Sequence, residues 1–226
     1  MKKRCAREAL KLIKNGMIVG LGGGSTISYL VEYIQESQLD IKVVSPSTTT
    51  LKLCLEHNLT VLPTWNVDHI DIAFDGCDEV DLQLNCLKSG GAIHTKEKII
   101  ASMADQYVLL VDESKVYETL PLHLPIALEV FPEALSYVIR CLKNMKADVE
   151  VRPTSSKDGG TISDNGNYIV NALFNNVNDL KTLNDCLLNI CGVIDTSLFY
   201  EIASQVISVD EDRVRYITKE KKNAKI

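Results

Sequence analysis

One run near the start of the chain constrains the fold most. Met17–Leu21 is short and apolar, suited to a buried strand. Gly20-Leu21-Gly22-Gly23-Gly24-Ser25-Thr26 follows, and Ile27–Gln35 has helical spacing. Glycines after a parallel strand let the backbone approach an anion, and the next helix presents unpaired N–H groups at its positive end. Ser25 and Thr26 add hydroxyls. No Gly-Lys-Ser/Thr follows, so this is not a Walker A loop. Ser25 replaces the third glycine of a dinucleotide fingerprint, and the strand Ile41–Ser45 ends without the acid that would hold a ribose hydroxyl. A single phosphate is the better guest. The competing reading is a tight turn with Ser25 and Thr26 as helix caps.

The alternation continues. Strand-like runs at Ile41–Ser45, Leu59–Leu62, Ile70–Phe74 and Tyr107–Val111 are separated by helical patterns at Thr48–His57 and Thr95–Ala104, the latter with Thr95 as N-cap. This predicts an α/β fold with a doubly wound, mostly parallel, Rossmann-like sheet. After Pro121 the rhythm changes. Ile126–Val130, a helix over Glu133–Asn144 opened by Pro132, Asp148–Arg152, Tyr168–Phe174, a helix capped by Asn178 or Asp179, and Val193–Phe199 follow in turn. That β-α-β-β-α-β order predicts a smaller ferredoxin-like α+β domain. The expected division is 1–123 plus 201–226 for the larger domain, which the late strands Ala203–Val209 and Val214–Thr218 rejoin, and 124–200 for the smaller.

The formal charge of −6 argues against nucleic acid as the partner, and Lys219, Lys221, Lys222 and Lys225 read as a solvated tail. MKKR resembles the start of a signal peptide, but Glu8, Lys11 and Lys14 break up the stretch where an apolar core would have to lie. No window is apolar enough to span a membrane. Seven cysteines without a CxxC read as free thiols in a cytoplasmic protein.

Two further constellations carry chemistry. In Phe74-Asp75-Gly76-Cys77-Asp78-Glu79, three carboxylates crowd a strand end, where open α/β sheets place ligands. An acid–base or sugar-hydroxyl site, a Mg²⁺ site and a solvated turn all remain open for it. Cys77 sits where neighbouring carboxylates disfavour its thiolate. Lys88-Ser89-Gly90-Gly91 then offers a cation to a developing oxyanion, and Glu97 falls in the first turn of a helix. There it either faces the cleft as a base or merely complements the helix dipole. His57, His69, His94 and His123 are scattered and read as surface or capping residues.

In this order, the segments Ile18–Thr26, Asp75–Glu79, Lys88–Ala92, Lys96–Ser102, Asp112–Lys115, Glu129-Val130 and Ser163–Asn167 resemble the ribose-5-phosphate isomerase A family, with a likeness running from Lys3 to about Val209. The resemblance implies interconversion of ribose 5-phosphate and ribulose 5-phosphate through an enediol, in the non-oxidative pentose phosphate pathway. It implies no metal and no cofactor, a sugar phosphate as the small-molecule substrate, no nucleic acid or membrane partner, and a homodimer or homotetramer. It assigns Glu97 as the base between C1 and C2, Asp75 as an acid in ring opening, Asp78 as a hydroxyl-holding partner and Lys88 as the cation at the reacting oxygens. Gly23, Gly24, Ser25, Thr26, Gly76, Cys77, Ser89, Gly90, Gly91 and Lys115 fall at substrate-binding positions, with Lys3 near the phosphate. The chain departs from the family pattern at Gly23, where threonine is usual, at Ser89 in place of glycine, at Ala127 in place of proline, and in a longer 154–160 stretch. A sugar-phosphate sensor, or another sugar-phosphate enzyme of this fold group, is the alternative.

Overall fold

The computed structural model describes residues 1–154 and 158–219. Lys221, Lys222 and Lys225, and part of the 154–160 stretch, lie outside these residues. In chain order the elements are α1 (Lys2–Leu10), β1 (Ile18–Leu21), α2 (Ser25–Glu36), β2 (Lys42–Val44), α3 (Thr48–Glu56), β3 (Thr60–Val61), β4 (Ile70–Asp75), β5 (Glu79–Asp81), β6 (Cys86–Leu87), α4 (His94–Met103), β7 (Ala104–Asp112) and β8 (Val116–Tyr117). There follow β9 (Ile126–Val130), α5 (Leu135–Asn144), β10 (Asp148–Val151), β11 (Tyr168–Leu173), α6 (Leu180–Leu188), β12 (Val193–Thr196), β13 (Leu198–Phe199), β14 (Gln205–Val209) and β15 (Val214–Thr218).

The large sheet runs β15-β14-β7-β4-β1-β2-β3. All pairs are parallel except β14–β15, an antiparallel hairpin at one edge. Its central strands are apolar on both faces because helices cover both. Val19, Leu21, Ile72, Phe74 and Val108 pack with α1 and α2, while Ala73, Tyr107 and Leu109 pack with Ile100 and Ala101 of α4. The second sheet, β10-β11-β9-β12, is antiparallel throughout, with Val138 and Leu142 of α5 and Leu183 and Leu187 of α6 in its core. This is the ferredoxin-like order.

The sequence holds no hint of a third sheet, β13-β6-β5-β8, built from strands of two or three residues. It splits the expected strand Val193–Phe199 in two, because β12 belongs to the second sheet and β13 to the third. Three local expectations are also corrected. Gly24, at φ +90°, occupies the cap position of α2 and makes no side-chain bond, so Ser25 and Thr26 are first-turn residues rather than caps. Ile93 precedes α4, which places Thr95 inside the helix. Pro132 opens a 3₁₀ turn, Pro132–Ala134, that leads into α5. Asp179 does cap α6, accepting from Lys181 and Thr182 N–H. Ala127 N–H donates to Ser197 Oγ at 2.8 Å, a bond that proline would forfeit.

Candidate active site

The order of the large sheet sets the C-terminal ends of β1 and β4 side by side, where the two windings of the chain diverge. Gly22 N–H donates to Phe74 O at 2.8 Å and draws the glycine loop against Asp75. A Cβ on Gly22 would lie 2.1 Å from the Asp75 carboxyl carbon, so only glycine lets Asp75 stand where it does. Asp75 is buried and accepts from Gly76 N–H at 2.8 Å, and more loosely from Gly23 N–H and the Tyr107 hydroxyl, both at 3.4 Å.

Lys88 follows β6, and its N–H is fixed by Ser197 O at 2.9 Å. Its ammonium lies 3.0 Å from Asp75 Oδ2 and 3.4 Å from Glu97 Oε1, with all three side chains less than a tenth exposed. It also donates to Gly76 O. Burial alone would lower the proton affinity of Lys88, but the Asp75 and Glu97 charges outweigh it and hold the ammonium firmly charged. Burial pushes the Glu97 carboxyl up to about 8; Lys88 pulls against this and Asp75 adds to it. Glu97 therefore holds its proton to a higher pH than an ordinary carboxyl does. The cation that faces the two acids is the chain's own lysine.

The three carboxylates of the 75–79 segment separate. Asp78 Oδ2 accepts from Ser89 N–H at 2.8 Å and Gly90 N–H at 3.2 Å, shaping the wall of the cleft. Glu79 turns away into β5, where it is buried and accepts from His123 N–H at 3.0 Å. It is not part of a solvated acidic turn.

A cleft of about 650 Å³ opens over these groups. It is lined by Lys2 and Gly23–Thr26, with Ser47–Thr49 at the start of α3. Asp75, Lys88 and Glu97 line it as well, with Cys77, Asp78, Gly90, Gly91, Lys115 and Asp164. Lys115 Nζ donates to Cys77 O at 2.7 Å. Two helix N-termini and Lys2 thus line the same cleft as the Asp75, Lys88 and Glu97 side chains, and helix N-termini with a lysine suit an anion.

Two expected residues are not in the cleft. Lys3, expected near the phosphate, lies over the Tyr29 ring, 5.2 Å from its centre, and Lys2 of the same helix lines the cleft. Ser89 is buried behind the wall, its hydroxyl donating to Pro125 O. Sequence reasoning missed Lys2, Ser47–Thr49, Ile93, Leu110 and Asp164. For Ser47–Thr49 the signal was present, since a second strand–loop–helix corner follows β2. His94, expected at the surface, is sealed in the interior with neither ring nitrogen in a well-formed hydrogen bond. Burial first, and the Lys98 charge after it, hold it neutral, down at about 4.

Among the described residues no helix is long and apolar enough to cross a membrane. A family model for ribose 5-phosphate isomerase A (phosphoriboisomerase A) matches residues 42–213. Ribose-5-phosphate isomerase A of Pyrococcus horikoshii is 40% identical over 92% of this chain and 93% of its own length. That of Thermococcus kodakarensis is 41% identical over the same shares. Among solved structures, a D-ribose-5-phosphate isomerase in complex with phospho-erythronic acid superposes with a TM-score of 0.90 at 37% identity, covering 96% of this chain and 97% of that one. Sequence, fold and the ordered site segments agree: this chain belongs to the ribose-5-phosphate isomerase A family.

Proposed function

We propose that the protein interconverts D-ribose 5-phosphate and D-ribulose 5-phosphate, with Glu97 carrying the proton between C2 and C1. The observation behind this reading is the buried Lys88 ammonium set between Asp75 and Glu97 at the strand ends of a parallel sheet. The sugar's phosphate is assigned to Lys2, the Gly23–Thr26 loop and Lys115. Binding energy gained there holds the reactive end in place. Asp75 attends ring opening. Glu97, in its carboxylate form, takes the C2 proton of the open aldose as the carbonyl oxygen gains negative charge. Lys88 lies where that charge develops and lowers its energy. The O2 proton passes to O1, so that the charge moves to O2, and Glu97 returns its proton to C1 as the C2 carbonyl forms, which gives the ketose. No electrons leave the substrate and no covalent intermediate is needed. The phospho-erythronic acid held by the solved relative carries a phosphate and a carboxylate, groups that match the phosphate and the developing oxyanion of this reading.

The chain is proposed to divide into 1–123 with 201–226 and 124–200, the larger part supplying most of the cleft and the smaller one Asp164. A cytoplasmic homodimer or homotetramer is the proposed form, and a monomer by light scattering at working concentration overturns it. The primary test follows ketose formation from ribose 5-phosphate with chelator present. Turnover supports the reading, and binding without turnover refutes it.

A further inference from the structure

We infer that Lys96 and Asp164 form a reversible latch across the cleft mouth, with Lys96 as a positioning residue for substrate binding. This deepens the isomerase reading and rests on it.

The 163–167 turn is built as a rigid arm. Ser163 Oγ, Asn165 Nδ2 and Asn167 Nδ2 all donate to one oxygen of Glu129, Oε1, at 2.6, 3.0 and 2.8 Å. Ser163 N–H donates to Asn167 O at 2.8 Å, and Gly166, at φ +82°, closes the turn. Glu129 lies in β9 and is 2% exposed, so the arm belongs to the ferredoxin-like unit. Asp164 alone points outward. It is half exposed, lines the cleft and meets Lys96 Nζ at 2.7 Å. Lys96 directly precedes Glu97 in the first turn of α4.

The same helix holds a second tie to the same unit. Lys98 Nζ binds Asp195 Oδ1 at 2.5 Å and Thr196 O at 2.6 Å, and this pair is nearly buried. Separating a buried, hydrogen-bonded pair leaves charges without partners, so that side stays together. The Lys96–Asp164 pair is wet on both partners, at 35% and 48% exposure, and an exposed pair is weak. One helix is therefore pinned to the smaller unit on one side and clipped to it on the other. The pin serves as a pivot and the clip as a fastening that opens for exchange of substrate and product.

The test uses the full-length protein with Lys96→Met, Asp164→Asn, the double variant, and Lys181→Met as a control that breaks the exposed Lys181–Asp185 pair on α6. Two readouts are taken: steady-state kinetics with ribose 5-phosphate, and amide hydrogen exchange over 163–167 without substrate. The latch predicts a rise in KM of about two- to fivefold for Lys96→Met with kcat nearly kept, and faster exchange in the turn. It also predicts a double variant no worse than Asp164→Asn alone, and no change in Lys181→Met. Unchanged KM and unchanged exchange in Lys96→Met overturn it. So do additive single effects, or a KM rise without faster exchange, which gives Lys96 a direct electrostatic role instead. If the wild type itself fails to turn over ribose 5-phosphate, the isomerase reading falls and the exchange data decide the latch alone.

Discussion

Glu97 and Glu129 are both buried carboxyls facing the interface between the large sheet and the ferredoxin-like unit, yet the protein drives them in opposite directions. Burial raises the proton affinity of each. Around Glu97 the neighbours are charges: Lys88 lowers it and Asp75 raises it, and the balance leaves it up at about 8. Around Glu129 the neighbours are neutral donors, Ser163 first, then Thr95, Asn167 and Asn165, and together they overcome burial and hold it below the ordinary carboxylate range. A carboxylate ringed by donors stays an anion and serves as a fastening. A carboxylate sharing one ammonium with another acid keeps a proton within reach.

The largest expected effect comes from removing the exchangeable proton. Glu97→Gln keeps the shape and should lower kcat by about 10²–10⁴-fold with little change in fold, measured by ketose formation and circular dichroism. An active Gln variant would end the distinction between the two carboxyls. Next, Lys88→Met should lower kcat by about 10²–10³-fold through loss of charge at the developing oxyanion. Lys88 is also what lowers the Glu97 carboxyl, so the acidic limb of kcat/KM, expected near pH 8 in the wild type, should move to higher pH in any residual activity. Glu129→Gln should act through structure. It should lose about 1–3 kcal/mol in denaturant unfolding and raise KM while leaving that limb in place. A loss of kcat equal to that of Glu97→Gln would show that both acids take part in the chemistry.

The smallest effect is the slope of stability with pH. Glu97 has a raised folded pKa, so its contribution is complete below about pH 4.5 and is lost as pH rises through about 8. Glu129 has a lowered one, so its contribution is present above about 4.5 and is lost as pH falls. Unfolding midpoints across this range should flatten on the alkaline side in Glu97→Gln and on the acid side in Glu129→Gln.

The reactive half of this comparison is open to reading in the sequence. Asp75 follows a predicted strand, Lys88 precedes glycines and Glu97 falls in the first turn of a helix; the residues alone leave other readings open at Asp75 and Glu97, and the family resemblance assigns the roles. Glu129 stands out only as part of a family motif, because three of its donors come from a turn whose approach is a tertiary matter. The large sheet and the ferredoxin-like order are legible because apolar runs there alternate with helical patterns, which marks even the short β2 and β3. No helix separates β5 from β6, and β8 and β13 are two-residue pieces beside longer strands, so nothing in the sequence sets these four apart. Glu79 parts from Asp75 and Asp78 because successive residues entering a strand face opposite ways. Lys2 rather than Lys3 reaches the cleft because one step along a helix turns the side chain by roughly 100°. His94 carries no signal, as nothing in a lone histidine announces that a packed interior will close over it.

The bond from Lys88 N–H to Ser197 O, and the pairing of β6 with β13 beside it, also matter during translation. Asp75, Lys88 and Glu97 all leave the ribosome well before the segment that backs Lys88, and before β14, which must slot in beside β7. Their final arrangement therefore waits on residues 197–209. Long-range pairings of this kind form late, so a nascent chain carries these side chains well before the backbone that fixes them.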